Sequence, residues 1–177
     1  VLQTQDETFL IDCGEGTQQQ LSRYKIKKSK ISHIFISHMH GDHYFGLIGL
    51  LSSMGLMGRT TDLYLHAPAP LQEIIQLQLK AAATTLPYTL HFLILNEECI
   101  INNGKKITVE CFKVTHRIDC WGFLFKKKKN PRSINPERVK AYEIPAAFYE
   151  ALQKGADYIT KKGTVIPNDE LTIATSP

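Results

Sequence analysis

The stretch Ser37-His38-Met39-His40-Gly41-Asp42-His43 puts three imidazoles and a carboxylate within six positions. Imidazole suits borderline-soft transition ions such as zinc, and carboxylate completes a donor set able to hold two of them. In an extended loop, residues two apart point the same way, so His38 and His40 can meet one ion together. Asp42 and His43 lie one turn farther along and can serve a second ion nearby. The first ion then lacks a third imidazole, and His116 is the best candidate, since Val114-Thr115-His116 closes an apolar strand-like run. A polar loop histidine that holds no metal is the competing reading of His116. His33, His66 and His91 sit inside or at the ends of strand patterns without a partner and read as structural. Asp12 ends another apolar run just before Gly14-Glu15-Gly16. It either orients a ligand imidazole as a hydrogen-bond acceptor or caps the following helix.

These residues need rigid elements beneath them. Phe9–Cys13 reads as a strand that turns at Gly14-Glu15-Gly16 into a helix through Thr17–Tyr24. Lys25–Lys30 is a basic connector, and Ile31–Ser37 is a buried strand that delivers the histidine loop. Gly46–Met57 is apolar and punctuated by glycine, as in a helix packed closely on a sheet. Leu63–His66 looks like a short strand, and Leu71–Ala83 has helical periodicity. The period then changes to that of strands: Tyr88–Leu95, a turn at Asn102-Asn103-Gly104, Ile107–Val114 and Trp121–Phe125. The order β-α-β-α-β-α followed by a β meander makes the fold class α/β with a mixed sheet. After Phe125, Pro131 and Pro136 break any strand. Short helices over Pro136–Ala141 and Pro145–Leu152 lead to a basic tail, Lys154–Pro167. With few large apolar residues this segment is expected to lack its own core and to protrude.

The 177 residues suit one domain with a real core. Net charge is +4, yet residues 126–164 hold ten Lys or Arg against four Asp or Glu, so the rest of the chain is slightly acidic. A basic segment beside a mildly acidic metal domain suggests an anionic partner, with a lysine-solubilised loop as the plainer alternative. The four cysteines show no C-x-x-C spacing and require no disulfide, which fits a reducing, cytoplasmic setting. No apolar run is long enough for a membrane span. The chain opens on Val1 without Met, so an N-terminal piece is expected to be missing.

Asp12-Cys13-Gly14-Glu15-Gly16-Thr17-Gln18, followed by His38-Met39-His40-Gly41-Asp42-His43, resembles the metallo-β-lactamase superfamily and, within it, ribonuclease Z. Val114-Thr115-His116 with Trp121-Gly122-Phe123 is similar to that family's next motif. The resemblance implies a four-layer αββα sandwich, of which residues 1–125 would form the N-terminal half. It assigns His38, His40 and His116 to one zinc ion and Asp42 and His43 to the other, two ions per subunit, with Asp42 also catalytic. Asp12 would support the site without binding metal. An arm over residues 126–170 would grip precursor tRNA through Lys126, Lys127, Lys128, Lys129, Lys154, Lys161 and Lys162. Residues 171–177 would then start the return to a C-terminal half. The family's usual Gly-Pro element in the arm is replaced here by Ile144-Pro145-Ala146-Ala147, a departure that bears on the arm's contact residues more than on its location.

The implied activity is removal of the 3′ trailer from precursor tRNA, leaving a 3′-hydroxyl on the tRNA and a 5′-phosphate on the trailer, by a homodimer. The bridging aspartate and last histidine ligand of the family would lie after Pro177, so impaired activity is expected of the chain by itself. Another hydrolase of the superfamily, a phosphodiesterase or one of glyoxalase II type, shares His38–His43. A non-catalytic tRNA-binding fragment is the third possibility.

Overall fold

Apolar runs bounded by turns become the strands β1 (Leu2–Gln3), β2 (Thr8–Ile11), β3 (Ile31–Phe35), β4 (Leu63–Ala67) and β5 (Leu90–Ile94), which pair in chain order. β1 runs antiparallel to β2, and every later neighbour is parallel. Parallel neighbours need crossovers. These are α1 (Thr17–Arg23), then α2 (Gly41–Tyr44) with α3 (Leu47–Leu56), then α4 (Pro70–Ala81). Right-handed crossovers taken in one direction along a sheet put every helix on the same face. Accordingly Leu21 of α1, Leu47, Leu50, Leu51 and Met54 of α3, and Leu71 and Ile75 of α4 share one core with Leu10, Ile34 and Leu65. In this computed structural model the described residues are 1–104, 106–128 and 130–175.

The alternate residues of these strands face the other way, towards a second sheet of β6 (Cys99–Asn103), β7 (Ile107–Val114) and β8 (Cys120–Lys127). The ring of Phe35 lies 5.2 Å from Phe123 and 5.5 Å from Phe125, and Phe9 lies 5.6 Å from Phe125. Helices, sheet and sheet therefore stack as three successive layers of an αββα arrangement. β5 belongs to the first sheet, parallel to β4, and not to the meander. Its period-two pattern suits either sheet, and the crossover through α4 decides. Asn102 and Asn103, expected in a turn, end β6 instead.

The first sheet and the sheet β6-β7-β8 up to Phe125 form one compact unit, Val1–Asn103 with Val109–Phe125. Gly104–Thr108 and the segment from Lys126 onward form another. That second unit contains β9 (Ser133–Ile134), α5 (Pro136–Ala141), α6 (Tyr149–Gln153), β10 (Tyr158–Ile159), β11 (Val165–Ile166), α7 (Asn168–Leu171) and β12 (Thr172–Ile173). Contrary to expectation it has a core, made of Val139, Ile144, Leu152, Ile166 and Leu171. The elements are too short to show a hydrophobic period, so these contributors look scattered in sequence. The buried Asn168 amide ties them together, donating to the carbonyls of Leu152 (2.9 Å) and Ala156 (2.7 Å). Asn135 caps α5 by accepting from the backbone N–H of Glu137 and Arg138, and Pro136 occupies the first turn, where its missing N–H costs nothing. Among the described residues no helix is long and apolar enough to cross a membrane.

Candidate metal centre

β2 and β3 are parallel neighbours, so their carboxyl ends open at the same sheet edge, where ligand sites of α/β sheets form. Asp12 leaves the end of β2 in the left-handed region (φ 54°), while its N–H still donates to the Phe35 carbonyl (2.8 Å). Ser37, His38 and His40 follow β3, with His40 just before the first turn of α2 and Asp42 and His43 inside it. The Asp12 turn nests directly on that helix. Cys13 donates its N–H to the His43 carbonyl (2.7 Å), and Gly46 donates to the Cys13 carbonyl (2.9 Å). A Cβ on Gly14 would stand 2.0 Å from the Asp42 carbonyl oxygen, so only glycine permits this approach. His116 arrives on the loop after β7, and the Trp121 N–H of β8 donates to the Ser37 carbonyl (2.9 Å), tying the second sheet to the histidine loop.

The structure brings His38, His40 and His116 together. His38 Nε2 lies 3.0 Å and His116 Nε2 3.2 Å from His40 Nδ1. The coordinating nitrogens of the three all lie within 4.8 Å of one another. A tetrahedral ion with bonds near 2.0–2.1 Å requires ligand nitrogens about 3.3 Å apart. His40 Nδ1 has only one lone pair and cannot accept from both neighbours, so the cluster is poorly satisfied by hydrogen bonds alone. A cation among the three nitrogens resolves this, and an all-imidazole donor set fits a metal ion of zinc type. Burial, and after it the neighbouring His43, His40 and His116, push the His38 pKa down, which favours the neutral ring that metal coordination needs.

Asp12 organises the surroundings. One carboxylate oxygen accepts from the Ser37 N–H (2.8 Å) and hydroxyl (2.9 Å), and the other accepts from His43 Nδ1 (2.8 Å). The Ser37 hydroxyl also lies 2.9 Å from His38 Nδ1. With Nδ1 engaged by the carboxylate, His43 presents Nε2, which lies 3.5 Å from Asp42 Oδ2. Of the two alternatives for Asp12, contact with a histidine is therefore the one realised. The N-terminus of α1 carries no side-chain cap.

An open cleft of about 770 Å³ is lined by His38, His40, Asp42, His43, His116, Arg117 and Cys120, among others. Sequence reasoning does not single out Ser37, Arg117 or Cys120. Cys120 Sγ lies 3.6 Å from His38 Nδ1. Adjacency to His116 is the only signal for Arg117, and Ser37 and Cys120 carry none. His33, His66 and His91 lie outside this cluster, but they do have partners. His33 Nδ1 meets His66 Nε2 at 3.1 Å, and His91 Nε2 meets Asp62 at 2.9 Å.

The lysines expected to meet nucleic acid fall at the end of the second sheet and in the second unit. Lys126 and Lys127 end β8, and the Lys128 N–H donates to the Lys106 carbonyl (2.8 Å). Lys161 and Lys162 are exposed in the turn between β10 and β11. The Lys154 charge is paired with Glu150 at 2.6 Å, one helical turn back, so it is less available than its sequence suggests. Lys129 lies outside the described residues.

A family model described as Anti-Pycsar protein Apyc1 matches residues 1–130. Ribonuclease Z of Bacteroides thetaiotaomicron is 42% identical over an alignment covering 100% of this chain and 57% of that protein. Ribonuclease Z of Bacteroides fragilis is 40% identical over 100% of this chain and 59% of that protein. The chain thus spans less than two thirds of the length of the curated relatives it matches. Human tRNase Z, short form, superposes with a TM-score of 0.64 at 29% identity, over 72% of this chain and 57% of that one. The metallo-β-lactamase fold protein YhfI from Bacillus subtilis, at 18% identity and a TM-score of 0.52, covers 78% of this chain and 57% of its own, and bears on the fold alone.

Proposed function

The chain belongs to the family of the Apyc1 model, and from its 42% identity to a ribonuclease Z along its whole length we propose that it carries the histidine site of a zinc-dependent endoribonuclease that trims the 3′ trailer of precursor tRNA. The observation that carries this reading is the meeting of three imidazole nitrogens beside Asp42, His43 and Arg117 in one open cleft. His38, His40 and His116 would hold one zinc ion, and Asp42 and His43 would contact a second, two per subunit. Zinc in such a site supplies Lewis acidity and makes water a competent nucleophile near neutral pH.

The rest is work for the chain's own groups. Asp12 keeps the His43 ring turned with Nε2 towards the cleft, and Ser37 links the same carboxylate to His38. Asp42 sits in the first turn of α2 as the catalytic carboxylate, and the Arg117 guanidinium can take a non-bridging phosphate oxygen as charge builds there. The oxygen of water forms the new bond to phosphorus and the bond to the tRNA 3′ oxygen breaks. That oxygen takes a proton, and the trailer keeps the 5′-phosphate. Lys126–Lys129, Lys161 and Lys162 would contact phosphates of the same RNA. A cytoplasmic homodimer is the proposed assembly. Leu56 and Met57 at the end of α3, 90% and 60% exposed, are apolar surface that a second copy could cover, while Leu47, Leu50, Leu51 and Met54 already face the core.

The test is cleavage of a precursor tRNA by the full-length protein and by His40→Ala. The expected result is a single cut at the trailer that the variant fails to make. Replacing Lys161 and Lys162 by alanine should lower the slope of log affinity against log salt by about 0.7–0.9 for each phosphate that is no longer neutralised. An unchanged slope removes the lysines from the interface. A small phosphodiester is the second reading, because the family-model match ends at residue 130, before most of the basic segment. Turnover of bis-p-nitrophenyl phosphate without any cleavage of precursor tRNA would favour it.

A further inference from the structure

β6 and β7 are neighbouring strands of the second sheet, and they carry Cys99 and Cys111 respectively. Both residues line one surface hollow of about 280 Å³ with Glu98, Ile100, Glu110 and Phe112. Their environments differ. Cys111 is 3% exposed, packs against Leu95 and Trp121, and donates its S–H to the Glu97 carbonyl (3.3 Å). Cys99 is exposed. Only three residues separate β6 from β7 in sequence, enough for an antiparallel hairpin and too few for a parallel crossover, and a register symmetric about that link sets Cys99 opposite Cys111. Residues so placed have Cα atoms roughly 4.5–5.5 Å apart, inside the range of roughly 4.4–6.8 Å that a disulfide accepts. The other two cysteines stand apart, with Cys13 buried in the helix-side core and Cys120 beside His38. Among the described residues the only group of three or more metal-capable side chains close enough to share an ion is the histidine cluster.

We propose that Cys99 and Cys111 form a dithiol–disulfide couple, a modification site for low-molecular-weight disulfides of the glutathione class. Exposure sets the order of events. The Cys99 thiolate attacks one sulfur of oxidised glutathione, the bond between the glutathione sulfurs breaks, and one glutathione thiolate leaves. The Cys111 thiolate then attacks the Cys99 sulfur of the mixed disulfide and expels the second. The two thiol protons end on the two glutathione thiolates, and two electrons pass from the protein sulfurs to the oxidant. Local desolvation of the sulfur, although the residue as a whole is exposed, and after it Cys111 and Glu97, hold the Cys99 thiol above its usual range, so oxidation is slow at neutral pH and speeds up as pH rises. β7 is the strand that leads to His116, so the cross-link would fasten the element that carries the third imidazole.

The experiment uses the reduced, full-length protein, with metal removed so that Cys120 and the histidines behave uniformly. Oxidised glutathione is added between pH 7 and 9, free thiols are blocked with N-ethylmaleimide, and tryptic peptides are mapped. Cleavage after Lys105 and Lys106 puts the two cysteines on separate peptides. The expected result is one linked pair, Cys99 with Cys111, carrying no retained glutathione and forming faster at higher pH. Cys111→Ser should stop at the glutathione adduct on Cys99. The wild-type map needs no substitution, so it decides the matter even if that variant does not fold. A stable adduct on wild-type Cys99 with Cys111 still free, a cross-link through Cys13 or Cys120, or no oxidation up to pH 9 would each overturn the couple.

Discussion

Two groups of histidines lie in the same compact unit and behave in opposite ways. His38, His40 and His116 stand on loops past the ends of strands, where backbone direction is free to turn and three ring nitrogens point at one another. His33 and His66 sit within β3 and β4, where the pleat holds side chains perpendicular to the sheet, so their rings stack and their nitrogens meet each other. His33 lies 4.9 Å from Tyr64 and 5.4 Å from His66, nearly parallel to both, and Tyr64 continues the stack to His91 at 4.7 Å. The register makes this unavoidable, since His33, Tyr64 and His91 are paired across three parallel strands. Position along the strand, more than residue type, separates imidazoles that can converge on one point from imidazoles that fill a core.

The largest break in the comparison comes from His38→Ala. Removing one of three convergent nitrogens should abolish stoichiometric metal binding and trailer cleavage together, as read by metal analysis of the full-length protein and by a precursor tRNA assay. His66→Phe should keep both. Metal loss in His66→Phe at an unchanged thermal midpoint would erase the distinction between the two groups.

Asp12→Asn sharpens the contrast. Its remaining oxygen still accepts the Ser37 N–H, but an amide N–H now meets His43 Nδ1, so the ring must flip its tautomer or give up that hydrogen bond. A drop of about 10- to 100-fold in metal affinity or activity is expected, with the fold retained. Titration calorimetry with zinc reads the first, and circular dichroism the second.

The buried pair carries a pH signature. Burial lowers the His33 pKa from 6.5 to about 4, and burial followed by His33 lowers that of His66 to about 3. The unfolded chain therefore takes up protons below about pH 6.5 that the folded chain refuses until pH 3–4. This contribution to stability is complete above pH 6.5 and is lost as pH falls towards 4. The slope is at most about 1.4 kcal/mol per pH unit for each proton, less for the partly exposed His33. Urea unfolding at pH 7 and pH 5 should show a smaller difference for His66→Phe than for the native sequence. Equal differences would mean that the ring is not held neutral by the fold.

The histidine loop is legible from sequence because its ligands are local, six positions fixed by one strand end. His116 needs a second strand-end argument, and Asp12 cannot be told from a helix cap by spacing because its partner His43 is 31 residues away. The His33–His66 contact is hidden for a stronger reason. It depends on the register of two parallel strands joined by helices, which no local pattern encodes. Asn102-Asn103 misleads because turn-forming residues also occur at strand ends, where β6 places them. The core of the second unit is invisible to periodicity because Val139, Ile144, Leu152, Ile166 and Leu171 belong to, or lie between, elements of two to six residues.

The smallest effect belongs to His91, the outermost ring of the stack. Its contact with Asp62 is close, 2.9 Å, but the two side chains are 38% and 50% exposed, so water screens the pair and each side chain gives up conformational freedom to hold it. Such pairs contribute about 0–1 kcal/mol. Removing the ring also ends its packing on Tyr64, a partly open contact of modest value. His91→Ala should therefore lower the thermal midpoint by about 2–4 °C for each kcal/mol of stability removed, and by no more than a few degrees in all. Zinc content should not change, because a stack that ends at the sheet edge has no route to the cleft beyond the ends of β2 and β3. A tenfold loss of metal affinity in His91→Ala would show instead that the two groups of histidines are energetically one.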